Sequence, residues 1–319
     1  MLHAILQLEM RIASFIVSFC FVSLACKSGE ATVAPGSEHG DGAEHAAATA
    51  DVDPNEHAFF DAEGQEASFD AFVSDVADVD LVAFGELHYH SVGSRYEFEL
   101  LQRMAAQDRP VALAMEFFEA DVQPALDDYL AGRIEESEFR ERTRQGENYD
   151  ESHRPLIEFC KEHRIPVIAA NAPRPLVKNY RKSGLSYDEY LAGLNEEERA
   201  QLPRRSVPPE DEFKRRFIDL MGPRRGPAFF VSMALWNDSM AESIADFRAA
   251  HEDHRVLLIV GGFHVAAHLG TITQYAERRP KDTSKVLLMQ VLEEGPVAFS
   301  EDFRGEADVL LGVRMPTDG

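Results

Sequence analysis

From residue 59 onward the hydrophobic positions fall into short, nearly unbroken runs separated by amphipathic stretches. The runs at 81–85, 111–116, 166–170, 229–232, 256–261 and 286–291 carry almost no charge, the pattern of strands buried on both faces. Between them, residues 94–106 and 238–251 repeat apolar side chains at spacings of three and four, which predicts helices lying on a sheet. This alternation predicts an α/β fold of three layers, a mainly parallel sheet with helices on both faces.

Residues 175–227 interrupt the rhythm. They are rich in Arg, Lys, Glu and Pro, and no strand-like run occurs among them. They read as an inserted helical subdomain in which Leu176, Tyr180, Tyr187, Tyr190, Leu191, Leu194, Phe213, Phe217 and Leu220 pack helices together or cap a cleft. A second helical piece is predicted over 122–144, with Leu126, Tyr129, Leu130, Ile134 and Phe139 on its apolar side. No repeat of solenoid or propeller period is present.

The first 58 residues belong to another class. Residues 12–25 form an uncharged apolar run behind Arg11, too short to span a bilayer and laid out as a secretory signal. Translation from Met10 would give the same signal with a shorter lead. The run closes on Ser23, Leu24, Ala25 and Cys26, which resembles a bacterial lipoprotein signal cleaved ahead of a lipid-bearing cysteine. An uncleaved anchor or an ordinary secretory peptide is the alternative. Residues 26–58 hold Ala, Gly, Glu, Asp and His with few large apolar side chains, so they are expected to be a disordered acidic tether. Within it, His39, His45 and His57 are too irregularly spaced to read as a metal tract. The domain expectation is a signal at 1–25, the tether at 26–58 and the α/β body at 59–319.

Charge narrows the partners. The chain of 319 residues has 32 Lys and Arg against 56 Asp and Glu, a net charge of −24, which argues against nucleic acid and anionic head groups as ligands. Of the three cysteines only Cys160 lies in the body, so neither a disulfide framework nor a cysteine metal cluster is available.

In open α/β sheets ligands gather at the carboxyl ends of the parallel strands, and the residues there are unusual. The run at 81–85 leads into Gly85-Glu86-Leu87-His88, the second run ends on Glu116, the third leads into Asn171 and Arg174, and the fifth leads into Gly261-Gly262-Phe263-His264. Two Gly-x-x-His segments and two carboxylates at strand ends point to one crevice, because imidazole and carboxylate together bind a divalent metal or act as base and acid. A glycine at each strand end lets the chain turn sharply and aim the histidine into the crevice. The competing reading makes His88 and His264 hydrogen-bonded structural histidines and Glu116 an acceptor for helix amides. Asn171 and Arg174 either fix a carboxylate or start a helix. Asp238, at an expected strand-to-helix junction, is either a site residue or an N-cap.

The segments GELH at 85–88, ALAMEFFEADVQPALDDYLAG at 112–132, RPLIEFC at 154–160, PVIAANAPR at 166–174, NDSMA at 237–241 and GGFH at 261–264 together resemble the ChaN family of haem-binding lipoproteins. That family sits in a superfamily with Tiki and TraB proteins and erythromycin esterases. The resemblance implies a three-layer α/β domain with a helical subdomain, surface-anchored haem binding linked to iron acquisition, a homodimer, and a tyrosine ligand to the iron. Tyr180, Tyr187 and Tyr190 are the candidates for that ligand, against a packing role for each. The chain departs from the family at Ala234-Leu235-Trp236-Asn237, ahead of Asp238, and at Gly262-Phe263.

Two functions therefore stand. One is a haem-binding protein lipid-anchored through Cys26 to the bacterial cell envelope. The other is a metal-dependent hydrolase, a peptidase or esterase, in which Glu86, His88, Glu116 and His264 hold a divalent metal or act directly on water, with Arg174 stabilising the oxyanion.

Overall fold

A computed structural model describes residues 56–88, 90–146, 149–292 and 297–314. The expected signal at 1–25, the expected lipidation site Cys26, the expected tether up to residue 55, and His39 and His45 lie outside them.

Strands β1 (His57–Asp61), β2 (Glu66–Ala67), β3 (Leu81–Glu86), β4 (Val111–Glu119), β5 (Val167–Asn171), β6 (Arg255–Gly261), β7 (Ser284–Leu292) and β8 (Val309–Arg314) form one sheet in the order β2-β1-β8-β7-β3-β6-β4-β5. The six strands from β8 to β5 run parallel, and β1 and β2 close one edge antiparallel. This is the predicted α/β class. The strand period of two sorts the side chains between two cores. Val82, Phe84, Leu113, Met115, Leu257 and Ile259 face one core, while Leu81, Ala83, Ala112, Ala114, Val256 and Leu258 face the other. The first is covered by α1 (Phe69–Asp75), α2 (Ser91–Ala105), α3 (Gln123–Leu130), α4 (Glu136–Arg142) and α5 (Arg154–His163). The α3–α4 pair supplies the helical segment expected within 122–144.

Between β5 and β6 come α6 (Arg174–Ser183), α7 (Tyr187–Ala192), α8 (Glu196–Ala200), α9 (Glu212–Met221) and the 25-residue α10 (Gly226–Ala250), and α11 (Thr271–Arg278) follows β6. The other core is covered by α10 and α11, through Met240, Ile244, Ile272 and Tyr275. The strand expected at 229–232 is instead the start of α10. Its apolar run arises because α10 is enclosed on several sides: Leu235 packs with the tyrosines of α6 and α7, Phe230 and Met233 with α9, and Met240 and Ile244 with the sheet. Burial all round erases the helical period, so run length alone misreads such a segment. Asp238 consequently lies inside a helix, and the expected strand-to-helix junction and N-cap do not exist.

Three strands escaped the sequence reading. β8 is the parallel strand beyond β7, β1 pairs with it on its other side, and β2 is a two-residue partner of β1. β1 begins at His57, inside the stretch expected to be tether, because Phe59 and Phe60 are buried on opposite faces of the sheet. Among the described residues no helix is long and apolar enough to cross a membrane.

Candidate functional site

The registers β3–β6 and β4–β6 set the site. Glu86 pairs with Gly261 across β3 and β6, and β4 runs on the other side of β6, so Glu86 and Gly261 end their strands beside Glu116, from which β4 continues to Glu119. The Glu116 Oε2 atom accepts the Gly261 N–H at 2.8 Å. The His264 Nε2 atom stands 3.5 Å from Glu116 Oε1. Past β3 the chain turns so that His88 Nδ1 meets Glu86 Oε1 at 2.5 Å. A Cβ at Gly261 would stand 3.0 Å from His88 Cε1 and 3.4 Å from Glu116 Oε2. Gly261 is thus the floor on which the His88 ring and Glu116 converge, and Glu86, His88, Glu116 and His264 share one crevice. The reason for glycine here differs from the expected sharp turn: Gly261 has φ −56°, open to any residue, and what it provides is room.

Electrostatics divide the charge unequally. Burial opposes the imidazolium of His88, but the hydrogen bond and charge of Glu86 and the charge of Glu116 outweigh it and raise its pKa above the ordinary histidine value. Burial likewise opposes ionisation of Glu116, yet the charge and hydrogen bond of His264, the charge of His88 and the Gly261 N–H pull it down to about 2. Glu86 is also lowered, its burial outweighed mainly by His88. His153 goes the other way, its imidazolium disfavoured by burial. The crevice therefore favours two carboxylates, Glu86 and Glu116, with the imidazolium form of His88 supported beside them; the His88 side chain is 19% exposed.

A family profile described as "Haem-binding uptake, Tiki superfamily, ChaN" matches residues 72–274. The chain belongs to this ChaN family. Among solved structures, one of cofacial haem binding to ChaN of Campylobacter jejuni is similar with a TM-score of 0.59 at 14% identity, covering 81% of this chain and 97% of that one. A mutant of the erythromycin esterase EreC in its open conformation is similar with a TM-score of 0.44 at 12% identity, over 80% and 83% of the two chains. The type III effector HopBA1 gives 0.41 at 12% identity, over 78% and 93%. Comparison with curated proteins finds no match.

In this ChaN-family chain the remaining candidate residues are dispersed. Arg174, at the start of α6, donates to Glu119 Oε1 at 2.9 Å, and Arg144 holds the other oxygen of Glu119 at 3.0 Å. Arg174 is near enough to His88 for its charge to oppose the imidazolium, so it stands at the mouth of the crevice. Asn171 is buried and accepts the Ala172 N–H at 2.9 Å, shaping the turn after β5. Asp238 is spent elsewhere, accepting from Ser206 and from Arg278, each at 2.8 Å.

The three tyrosines form a buried cluster, with Tyr180 5.3 Å from both Tyr187 and Tyr190 between ring centroids. Tyr187 donates to Pro203 O at 2.5 Å and Tyr190 to Leu176 O at 2.8 Å. Burial raises the pKa of all three, which disfavours a tyrosinate ligand. They pack α6 against α7.

Among the described residues no group of three His, Cys, Asp or Glu side chains is disposed, in this arrangement, to hold a metal ion. Glu86 is engaged by His88, one oxygen of Glu116 by the Gly261 N–H, and His264 Nδ1 by Asn237 Oδ1 at 2.5 Å.

Four contributors were not singled out from the sequence. Asn237 also accepts from the Thr271 hydroxyl at 3.0 Å, so its oxygen faces donors and calls for a proton on His264 Nδ1. Phe117 meets His88 edge-on at 5.5 Å and stacks on His153 at 4.1 Å. His153 ends a single π-helical turn, Tyr149–His153. The fourth, Glu97, sits on the buried stripe of α2 with Val92, Gly93, Leu100, Leu101 and Met104. A carboxylate at helical spacing within an apolar stripe was its one legible signal.

Proposed function

We propose that this chain is an exported haem-binding protein, lipid-anchored through Cys26 to the bacterial cell envelope, that takes haem as cargo for iron acquisition and works as a homodimer. The observation that carries the reading is the family match, which runs from α1 into α11 and includes both Gly-x-x-His segments. The apolar run at 12–25 ending on Cys26 supports export and lipidation. The fold likeness to a ChaN protein known in a cofacial haem complex supports the cargo. Of the candidate tyrosines, Tyr187 and Tyr190 already spend their hydroxyls on Pro203 O and Leu176 O, so the axial ligand is expected elsewhere than on these two.

Hemin titration of the purified protein tests it. A sharp, saturable Soret band is expected, and broad absorbance that never saturates would refute haem binding. Replacing Cys26 by Ala should release the protein from the membrane fraction of its host, and unchanged membrane association would remove the anchor.

A second reading rests on one observation, the Glu86–His88 hydrogen bond at the mouth of a crevice holding a second carboxylate. In it the pair performs metal-independent acid–base hydrolysis of an ester or peptide bond. Esterase activity that survives a chelator and disappears in His88→Ala would establish it.

A further inference from the structure

His264 stands on the turn between β6 and α11, and the helical insertion grips that turn at two points. Phe263, directly before His264, and Leu269, beyond it, pack against the apolar cluster made by Phe213 and Phe217 of α9 with Phe230 and Met233 of α10. The Phe263 ring lies 5.2 Å from that of Phe213 and 5.8 Å from that of Phe217. The second grip is polar. Arg216 of α9 donates to both carboxylate oxygens of Glu306, and Glu306 O accepts the Ala267 N–H at 2.7 Å. The His264 ring has its own tie to Asn237 of α10, but the backbone on either side of it is held from α9.

The gripped turn is strained. Ala267 and His268 have φ of +55° and +57°, a left-handed pair without glycine, which persists only while its surroundings enforce it. The helix that enforces it is lightly held. Within α9 only Phe213 and Phe217 are buried, and both belong to the cluster that receives Phe263. The helix ends on Gly222 at φ +77°, a conformation open to glycine without strain. An element with so few buried apolar side chains opens at less cost than the sheet beneath it. Its departure would take both grips with it and let the strained turn relax beside His264, whose ring stands 3.5 Å from Glu116.

We propose that α9 is a latch on the His264 turn, with Phe263 as the positioning residue that couples the two, so that the helix and the turn open as one unit. A ligand or partner that prefers the docked or the undocked form of α9 then acts on the crevice from the insertion. The inference is independent of whether the crevice serves haem or hydrolysis.

Amide hydrogen exchange of the whole ligand-free protein tests it. In the wild type, α9 and residues 262–269 should open together, with protection factors that agree within about fivefold and lie below those of β6. Arg216→Gln cuts the contact on the α9 side and should raise exchange in residues 262–269 by about tenfold, while Phe263→Ala cuts it on the turn side and should raise exchange in α9 by a similar factor. In both variants β3 and β4 should exchange as in the wild type. A merely local packing role would loosen only the segment that carries the substitution, and exchange that does not rise across the contact would overturn the proposal. Wild-type protection factors that differ by more than about fivefold would overturn it too, and that comparison decides whether or not either variant folds.

Discussion

Replacing Glu116 by Gln separates charge from shape at the centre of the crevice. Gln keeps the length of the side chain and an oxygen for the Gly261 N–H, and loses the interaction with His88 and His264. A displacement from 4.5 to about 2 corresponds to roughly 3 kcal/mol of folding stability for a buried carboxylate. Because the folded-state pKa lies below the unfolded one, that stability is fully present above about pH 4.5 and is lost as the pH falls through about 2. At pH 6 the variant should therefore be less stable by about 3 kcal/mol, and at pH 3 by only about 1.5. For a chain of this size about 3 kcal/mol corresponds to a drop in Tm of about 6 to 12 °C. Thermal melts followed by circular dichroism at the two pH values measure both differences. An equal loss at pH 6 and pH 3 would mean that Gln is merely a poorer fit. No loss at pH 6 would mean that burial consumes the whole electrostatic gain. Either result refutes the reasoning.

Gly261→Ala places a methyl 3.0 Å from His88 Cε1, so the ring should move outward and the His88 midpoint, read by NMR, should fall toward the ordinary histidine value while the fold persists. Asn237→Leu removes the acceptor shared by His264 and Thr271 and strands two buried donors, an expected loss of about 2 to 4 kcal/mol in denaturant melts. Tyr187→Phe deletes the hydroxyl bound to Pro203 O and should cost about 1 kcal/mol with hemin binding unchanged. A lost Soret band in that variant would return Tyr187 to the ligand role.

Five of the six predicted strands were legible because burial on both faces leaves an unmistakable apolar run, and the same rule produced the one error at 229–232. A strand between two helical layers and a helix between a sheet and two helical clusters present the same local composition. Length separates them only when the boundaries are known, and α10 opens on Gly226-Pro227, which reads equally well as a turn. The site was legible for a related reason. Polar residues directly after buried runs mark strand ends, and the sheet register then brings Glu86, Gly261 and Glu116 abreast without long-range information. His153, Asn237 and Glu97 reach the crevice from helical segments, where position depends on how each helix docks, and nothing at a strand end announces them.

That difference in legibility follows the division of labour in the crevice. Residues on the strand ends meet one another directly, as Glu86 meets His88 and Glu116 meets the Gly261 N–H. The helix-borne residues stand behind them: Asn237 accepts from His264 Nδ1 and from the Thr271 hydroxyl. A chain that kept GELH, Glu116 and GGFH but carried an apolar residue at 237 would keep the motifs by which the family is recognised. It would still lose the acceptor that orients the His264 ring toward Glu116. The motif residues determine which groups meet, and the side chains behind them determine how they are turned toward one another.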